Sequence, residues 1–377
     1  MKILIAPDSF KGSLSAKEAA DFIEKGIKKA DKEIQTFKVP MADGGEGTVE
    51  SLVDVTGGKI HKVYVYDPLM REIESFFGIL GDGETAVIEM AAASGLTLLS
   101  RDERNPLLTN TYGTGQLILA ALNMGCKKMI IGLGGSATND GGAGMAAALG
   151  VRFFDSKGEN IIPNGGNLKY IHDIDISGLD TRIKDVPIEV ACDVENPLIG
   201  PKGASYIFGP QKGADRQMVG ELDKGLQNYG LILEKLINRS LIDLPGAGAA
   251  GGLGAGLVGF LNAKLIKGID IVMGITKLEE SMNGVNLVIT GEGMMDYQTA
   301  FGKTPYGVAK LANKYKIPVI ALTGAIGTGS EILYEKGFNS IFSIIDKPMT
   351  LEEAIHNSKI LLENAAERII RAVKIND

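Results

Sequence analysis

The chain has 377 residues, of which 45% are hydrophobic and 23% charged, a balance typical of an ordinary soluble globular protein with room for two domains. Its formal net charge of −7 argues against a nucleic-acid or anionic-membrane partner, and no apolar stretch is long enough to span a bilayer. Cys126 and Cys192 both lie in apolar runs, so we expect buried thiols and a cytoplasmic protein. The 50 glycines, well above the usual share of about 7%, indicate several loops lined by backbone.

The first sixty residues predict two strand–loop–helix units. Residues 3–6 form an apolar strand, and Ser15 with Glu18 three positions later predicts a capped helix through Ala30. The second unit has its strand, loop and helix at residues 34–39, 41–47 and 48–55. Two such units in succession predict a parallel sheet covered by helices.

The succession of strand–loop–helix units stops after Gly57 and resumes near residue 285. Short alternating runs at 61–66, 72–80 and 85–90 predict hairpins of an antiparallel or mixed sheet. Later strands are predicted at 286–290, 317–323 and 340–345, with a long helix from residue 351 to about 373. The predicted fold is therefore α/β: a Rossmann-like parallel-sheet domain from residues 1–60 and 285–377, and an inserted mixed α/β domain at 61–284.

Two glycine-rich segments, Ile131–Gly144 and Pro245–Gly256, stand beside apolar runs. The first follows the order strand, glycine turn, helix start, in which helix-start amides favour a bound anion and glycine lets a ligand approach the backbone. Both segments are predicted to be loops that bind nucleotide phosphates. Tight packing of a helix on a sheet is the alternative explanation for each. The residues assigned to nucleotide binding are Gly134, Gly135, Ser136, Asn139, Asp140, Gly251, Gly252 and Gly254.

The same stretch fits a second class of enzyme. Gly132, Gly134 and Ala137 match the dinucleotide fingerprint, and Asp155 follows the next apolar run near the position of a ribose-binding acid. An NAD-dependent dehydrogenase of a small hydroxy acid is therefore the alternative function, although polar residues crowd the turn. A third hypothesis is an anion-binding regulatory protein. The Gly302-Lys303-Thr304 triplet is no P-loop, because Tyr297 occupies the place of its first glycine.

Acidic and basic side chains follow several predicted strands, where open α/β sheets bind their ligands. The three histidines have no metal-ligand spacing, so a carboxylate is the expected general base, although an Asp-Gly pair is also a common turn. Lys11, Asp193 and Asp296 are the candidates for catalysis, and Asp193 and Asp296 are also the candidates for metal binding. The residues assigned to substrate binding are Asp8, Ser9, Asp43 and Glu292.

Seven segments together resemble the bacterial glycerate kinase family of the glyoxylate and glucarate pathways. They are residues 6–13, 40–48, 132–144, 191–198, 208–214, 245–256 and 291–307. The resemblance implies phosphorylation of D-glycerate by ATP with Mg²⁺, usually at the 2-hydroxyl, so the expected product is 2-phosphoglycerate. It also implies two α/β domains with a cleft between them and a small-molecule substrate. The oligomeric state stays open, a homo-oligomer included.

Overall fold

The computed structural model describes residues 1–42 and 47–374. The chain forms two compact units. The terminal unit comprises Met1–Asp43, Asp54–Thr56 and Ile269–Asp377, and the central unit comprises Gly44–Val53 and Gly57–Gly268. Each unit has its own sheet and its own hydrophobic core. The domain division drawn from the sequence stays a prediction.

The strands are β1 Lys2–Ile5, β2 Gln35–Lys38, β3 Lys59–Tyr66, β4 Glu72–Ile79, β5 Thr85–Glu89, β6 Lys128–Gly132, β7 Arg152–Phe154, β8 Asp173–Asp175, β9 Ile188–Ala191, β10 Lys264–Ile266, β11 Leu287–Met295, β12 Val319–Ile326 and β13 Ser340–Ser343. The α-helices are α1 Ala16–Ala30, α2 Thr48–Thr56, α3 Ala91–Ser94, α4 Tyr112–Asn123, α5 Ala143–Ala148, α6 Ala204–Phe208, α7 Arg216–Ile237, α8 Ala249–Leu261, α9 Gly268–Thr276, α10 Leu278–Ser281, α11 Thr304–Lys314, α12 Ile332–Glu335, α13 Leu351–His356 and α14 Ser358–Val373.

The terminal unit contains a parallel sheet in the order β13-β12-β11-β1-β2. Its central strand pairs Ile3 with Leu287 and Ile5 with Ile289, so the two ends of the chain share one sheet. Ser15 is the N-cap of helix α1, and its hydroxyl forms the predicted capping box with the Glu18 carboxylate. The parallel sheet predicted from the first sixty residues is confirmed.

The central unit contains a mixed sheet in the order β10-β9-β6-β5-β4-β3. Strands β10, β9, β6 and β5 run parallel, while β5, β4 and β3 pair antiparallel, as their short alternating runs predict. Strands β7 and β8 form a separate antiparallel pair. The α/β class is confirmed for both units, and the carboxyl ends of β5, β6, β9 and β10 lie along one edge of the central sheet.

Both cysteines are free thiols, Cys126 buried and Cys192 only partly so. None of the helices within residues 1–42 and 47–374 combines the length and the apolar character that a bilayer crossing requires.

Two helical glycines predict opposite effects of one substitution. A Cβ at Gly26 of α1 would lie 2.1 Å from the Glu363 carbonyl oxygen and 2.8 Å from the Ala366 Cβ, both in α14. We expect Gly26→Ala to lower the free energy of unfolding by about 2 kcal/mol, because α1 and α14 must separate. A Cβ at Gly220 of α7 has open space among the described residues, so Gly220→Ala should raise it by about 0.5–1 kcal/mol. Urea unfolding of both variants measures this, and shifts of the same sign would contradict it.

Candidate functional site

In the terminal unit, the loop after β1 runs beside the end of β11. The Asp8 amide donates to the Gly291 carbonyl at 2.8 Å, and Thr290 Oγ1 donates to the Ala6 carbonyl at 2.7 Å. A Cβ at Gly293 would lie 3.5 Å from the Lys11 backbone nitrogen, so the two segments are in contact. The structure thus brings the loop that carries Asp8, Ser9 and Lys11 beside the segment that carries Glu292.

The side chains along this edge differ in exposure. Asp8 is buried and its carboxylate accepts a hydrogen bond from the Ser9 amide at 2.6 Å, whereas Lys11 is exposed. Lys11, on the same loop as buried Asp8, is accessible to an anionic ligand from solvent. Asp43, the predicted substrate residue after β2, lies outside the described residues.

Glu292 is the centre of a small polar cluster. Its Oε1 accepts a hydrogen bond from Thr299 Oγ1 at 2.8 Å, and its Oε2 lies 3.4 Å from Lys303 Nζ. The Glu292 side chain is 13% exposed and that of Lys303 36%. In the sequence, Lys303 stands out only as part of a failed P-loop match. The sequence feature that marks Lys303 as a site candidate is its position directly before α11.

Asp296 has a structural task. Its carboxylate accepts a hydrogen bond from the Gln298 amide at 2.9 Å and so caps the 3-10 helix Tyr297–Phe301. The side chain is buried, in contrast to that of Lys11. The predicted catalytic and metal-binding roles of Asp296 remain predictions.

In the central unit, β6 ends at Gly132 and α5 begins at Ala143, with residues 133–142, here called the glycine loop, between them. The fully buried Asp140 carboxylate accepts hydrogen bonds from the Thr111 amide at 2.7 Å and the Thr111 hydroxyl at 2.8 Å. It also accepts from the amides of Gly142 at 3.2 Å and Gly144 at 3.1 Å. Burial raises the pKa of the Asp140 carboxyl, and these four hydrogen bonds oppose the shift.

The helix-start amides are therefore occupied from within the chain. Asp140 takes those of Gly142 and Gly144, and the Met145 amide donates to Thr111 Oγ1 at 2.9 Å. The anion at this helix start is the Asp140 carboxylate, and nucleotide-phosphate binding by Ser136, Asn139 and Asp140 stays a prediction.

The first part of the glycine loop faces solvent. Gly134 and Gly135 are exposed, while Ser136 is 6% exposed and Asn139 is fully buried. The loop is held by hydrogen bonds from the Leu96 amide to the Gly135 carbonyl and from the Ala137 amide to the Ser94 carbonyl. The exposed backbone at Gly134 and Gly135 is the part of the loop that a phosphate group in solution can reach.

The second glycine-rich segment is a helix rather than the predicted loop. Helix α8 begins at Ala249, and its first turn is broken where Ala250, Gly251 and Gly252 take left-handed backbone angles. A Cβ at Gly251 would lie 2.0 Å from the Thr138 carbonyl oxygen, and one at Gly252 would lie 2.9 Å from the Gly141 Cα. Gly254 meets the Gly246 carbonyl in the same way. Gly251 and Gly252 allow α8 to pack on the glycine loop, while Gly254 packs on the segment just before α8. Phosphate binding by all three stays a prediction.

Lys212 lies against the glycine loop, although it is not among the site residues predicted from the sequence. Its side chain is 1% exposed and its Nζ donates to the Thr138 carbonyl at 2.6 Å. Burial lowers the pKa of Lys212 to about 7, and the charge of Asp140 opposes this shift. Nearby, Asn139 Nδ2 donates to Ser205 Oγ at 3.0 Å. The sequence signal for Lys212 is the segment 208–214, one of the seven that carry the family resemblance, to which no role is assigned.

Asp193 follows β9 at the carboxyl edge of the central sheet. Its Oδ1 accepts a hydrogen bond from the Gly268 amide at 2.9 Å, which ties the end of β9 to the end of β10. Asp193 is exposed. Across residues 1–42 and 47–374, no group of three or more His, Cys, Asp and Glu side chains is arranged to hold a metal ion.

The dinucleotide fingerprint is not realised in the fold. It requires a helix that starts within the glycine turn and an acid at the end of a neighbouring strand. Helix α5 begins only at Ala143, and β7, which precedes Asp155, pairs with β8 in a separate sheet. The neighbours of β6 are β5 and β9. These observations remove the basis for the dehydrogenase alternative.

Parallel sheets with polar loops at their carboxyl edges define the class of α/β enzymes that bind small anionic ligands in such loops. The family model described as the glycerate kinase family matches residues 3–374. The chain is 52% identical over 375 residues to a glycerate kinase of Bacillus subtilis and 49% identical over 375 residues to the glycerate 2-kinase of Escherichia coli. Each alignment covers 100% of this chain and 98% of the relative.

A solved structure agrees with these matches. It is a crystal structure assigned to a glycerate kinase 2 of Salmonella typhimurium LT2, with a TM-score of 0.91 and 46% sequence identity. The alignment covers 99% of this chain and 98% of that one. The chain therefore belongs to the glycerate kinase family, and it is a kinase.

The buried Asp140 carboxylate yields a prediction for stability. In Asp140→Asn, an amide NH₂ would face some of the donors that the carboxylate now accepts, so we expect the free energy of unfolding to fall by about 3 kcal/mol. Asp155→Asn is the control, because half-buried Asp155 accepts from the amides of Lys157 and Glu159 in a surface turn. Its effect should stay below about 1 kcal/mol. Equal losses in thermal or urea unfolding would show that Asp140 does not hold the loop.

Proposed function

We propose that this protein transfers the γ-phosphoryl group of ATP to D-glycerate and forms 2-phosphoglycerate. The observation that carries the proposal is the family match over nearly the whole chain, together with relatives at about half identity whose names specify glycerate kinase and glycerate 2-kinase. The cytoplasmic location and the absence of nucleic-acid and membrane partners expected from the sequence form part of the same proposal.

Phosphoryl transfer needs alignment of phosphates, neutralisation of charge and a positioned hydroxyl more than covalent chemistry by the protein. The exposed backbone at Gly134 and Gly135 supports a role in binding the nucleotide phosphates. On the terminal unit, exposed Lys11 is the proposed partner of the glycerate carboxylate. The remaining acceptor-binding residues we propose are Asp8, Ser9, Asp43 and Glu292.

Magnesium in kinases is usually held by one or two carboxylates together with oxygen atoms of the substrate phosphates. Asp193 and Asp296 both have carboxylate oxygens at strand ends, which is the donor chemistry that Mg²⁺ prefers. Each already binds one backbone amide, a contact that fixes its orientation. We propose Mg²⁺ binding for both, and bound Mg²⁺ would neutralise charge on the phosphates.

The activity is tested with purified protein, D-glycerate, ATP and MgCl₂. We expect release of ADP that depends on glycerate, and a phosphorus NMR spectrum that identifies 2-phosphoglycerate. A parallel reaction with NAD in place of ATP is the control and should form no NADH. If 3-phosphoglycerate is the product, the proposed position of transfer is wrong. If glycerate stimulates no ADP release, the proposed substrate is wrong.

Lys11→Met tests the proposed carboxylate contact. We expect the KM for glycerate to rise by about tenfold or more, equivalent to a loss of about 1.4 kcal/mol of binding, because the cation that meets the carboxylate is removed. Lys17→Met is the matched control: Lys17 is an exposed lysine of the same unit that pairs with Asp54 at 2.5 Å. Unchanged KM and kcat in Lys11→Met would remove Lys11 from the glycerate site.

A further inference from the structure

Lys212 occupies an unusual position for a lysine. It ends the 3-10 helix Pro210–Lys212, and the next residue, Gly213, packs against the backbone of Arg104, where a Cβ would lie 2.2 Å from the Arg104 carbonyl oxygen. The Lys212 side chain is 1% exposed, and its Nζ lies 2.6 Å from the Thr138 carbonyl oxygen in the glycine loop. Its ammonium group is therefore fixed by the fold and shielded from water.

The surroundings of this ammonium group are incompletely paired. A lysine has three N–H donors, and in the described part of the chain Thr138 O is the acceptor that Lys212 reaches. In the same stretch of loop, Thr138 Oγ1 and Asn139 Oδ1 are buried and have no hydrogen-bond partner among the described residues. Buried polar atoms without partners are rare and point to a missing water molecule or ligand group.

A structural tether does not require a charge. Tyr229 holds the far end of the loop with a neutral hydroxyl, which donates to the Gly141 carbonyl at 3.0 Å. Burying an ammonium group is much less favourable than burying a hydroxyl unless an anion compensates it. The charge of Asp140 acts on Lys212, but its carboxylate already accepts four hydrogen bonds from Thr111, Gly142 and Gly144. The ammonium group therefore has a charge partner in Asp140 and N–H donors left for a further acceptor.

We propose that Lys212 is a positioning residue for phosphoryl transfer, holding Thr138 in place and supplying a buried positive charge to the glycine loop that receives the nucleotide phosphates. This inference rests on the proposed function. A positive charge in a water-excluded site acts more strongly on a phosphate than the same charge on the surface.

The titration of Lys212 offers an independent readout. The titratable group that acts on it is Asp140, whose charge favours the ammonium form, and Tyr229 in turn lies near Asp140. Because burial lowers the pKa of Lys212 to about 7, the free enzyme loses this positive charge as the pH rises through that value. We expect kcat/KM for ATP to fall over the same range in the wild-type enzyme, since kcat/KM reports ionisations of the free enzyme.

The experiment compares Lys212→Met, which removes both the charge and the hydrogen bond, with Lys212→Gln, which removes the charge and keeps an amide donor. For both variants we expect kcat/KM for ATP to fall by about 100-fold, the pH dependence near neutrality to disappear, and the Kd for ADP to rise by about tenfold in calorimetry. The melting temperature of Lys212→Met should fall, because the Thr138 carbonyl loses its hydrogen bond and the Asp140 charge loses a buried opposite charge, so the kinetics are measured at a temperature at which the variant is folded.

Two controls separate the charge from the tether. Lys169→Met removes a lysine that pairs with Glu221 on the surface of the same unit, and kcat/KM should change by less than about twofold. Tyr229→Phe removes the other hydrogen bond to the glycine loop; it should lower the melting temperature and reduce kcat/KM by less than about fivefold.

Three results would overturn the proposal: wild-type kinetics in Lys212→Gln, activity in Lys212→Met that falls only in step with its melting temperature, or a Lys212→Met protein that does not fold. If the wild-type enzyme does not phosphorylate glycerate, the proposed function fails. The melting temperatures and the ADP affinities then still decide the role of Lys212.

Discussion

The carboxylate of Asp140 accepts hydrogen bonds from Thr111 at the start of α4 and from Gly142 and Gly144 at the start of α5. These contacts join two helix starts to the loop that follows β6, in the middle of the central sheet. Because the donors of α5 are satisfied in this way, the end of the loop is held by contacts within the chain. Within residues 133–142 the exposed stretch is Gly134 and Gly135, so the buried acid leaves that stretch for the proposed phosphate contact.

The contacts around the loop also explain the richness in glycine. Helix α8 approaches the loop closely enough that a Cβ at Gly251 or Gly256 would overlap a carbonyl oxygen of residue Thr138 or Gly141. Two segments that each resemble a ligand-binding loop are in this case packed on one another. Opposite charges, Asp140 and Lys212, are enclosed in the same region, an arrangement that is unfavourable for stability and is typical of functional sites.

Local sequence patterns predict an element correctly where the interactions that form it are between residues close in sequence. The capping box of Ser15 and Glu18 and the hairpin strands β3 and β4 follow from residues close in sequence. The partners of Asp140 and Lys212 lie 29 and 74 residues away, at Thr111 and Thr138, so no local pattern reveals them. The segment before Leu257 has the local pattern of a phosphate loop for the same reason. The surface that buries it belongs to another part of the chain, so its packing is not visible in the local sequence.

The pairing of β1 with β11 has a consequence for the order in which the protein can fold as it is synthesised. Thr290 and Ala6 are bonded across 284 residues, and the apolar face of α1 packs with α14 in one core. The central unit is almost entirely one continuous stretch and can complete its core while the ribosome is still translating the remainder. Strand β1 and helix α1 are synthesised long before β11 and α14, so their apolar surfaces stay uncovered until those later elements follow.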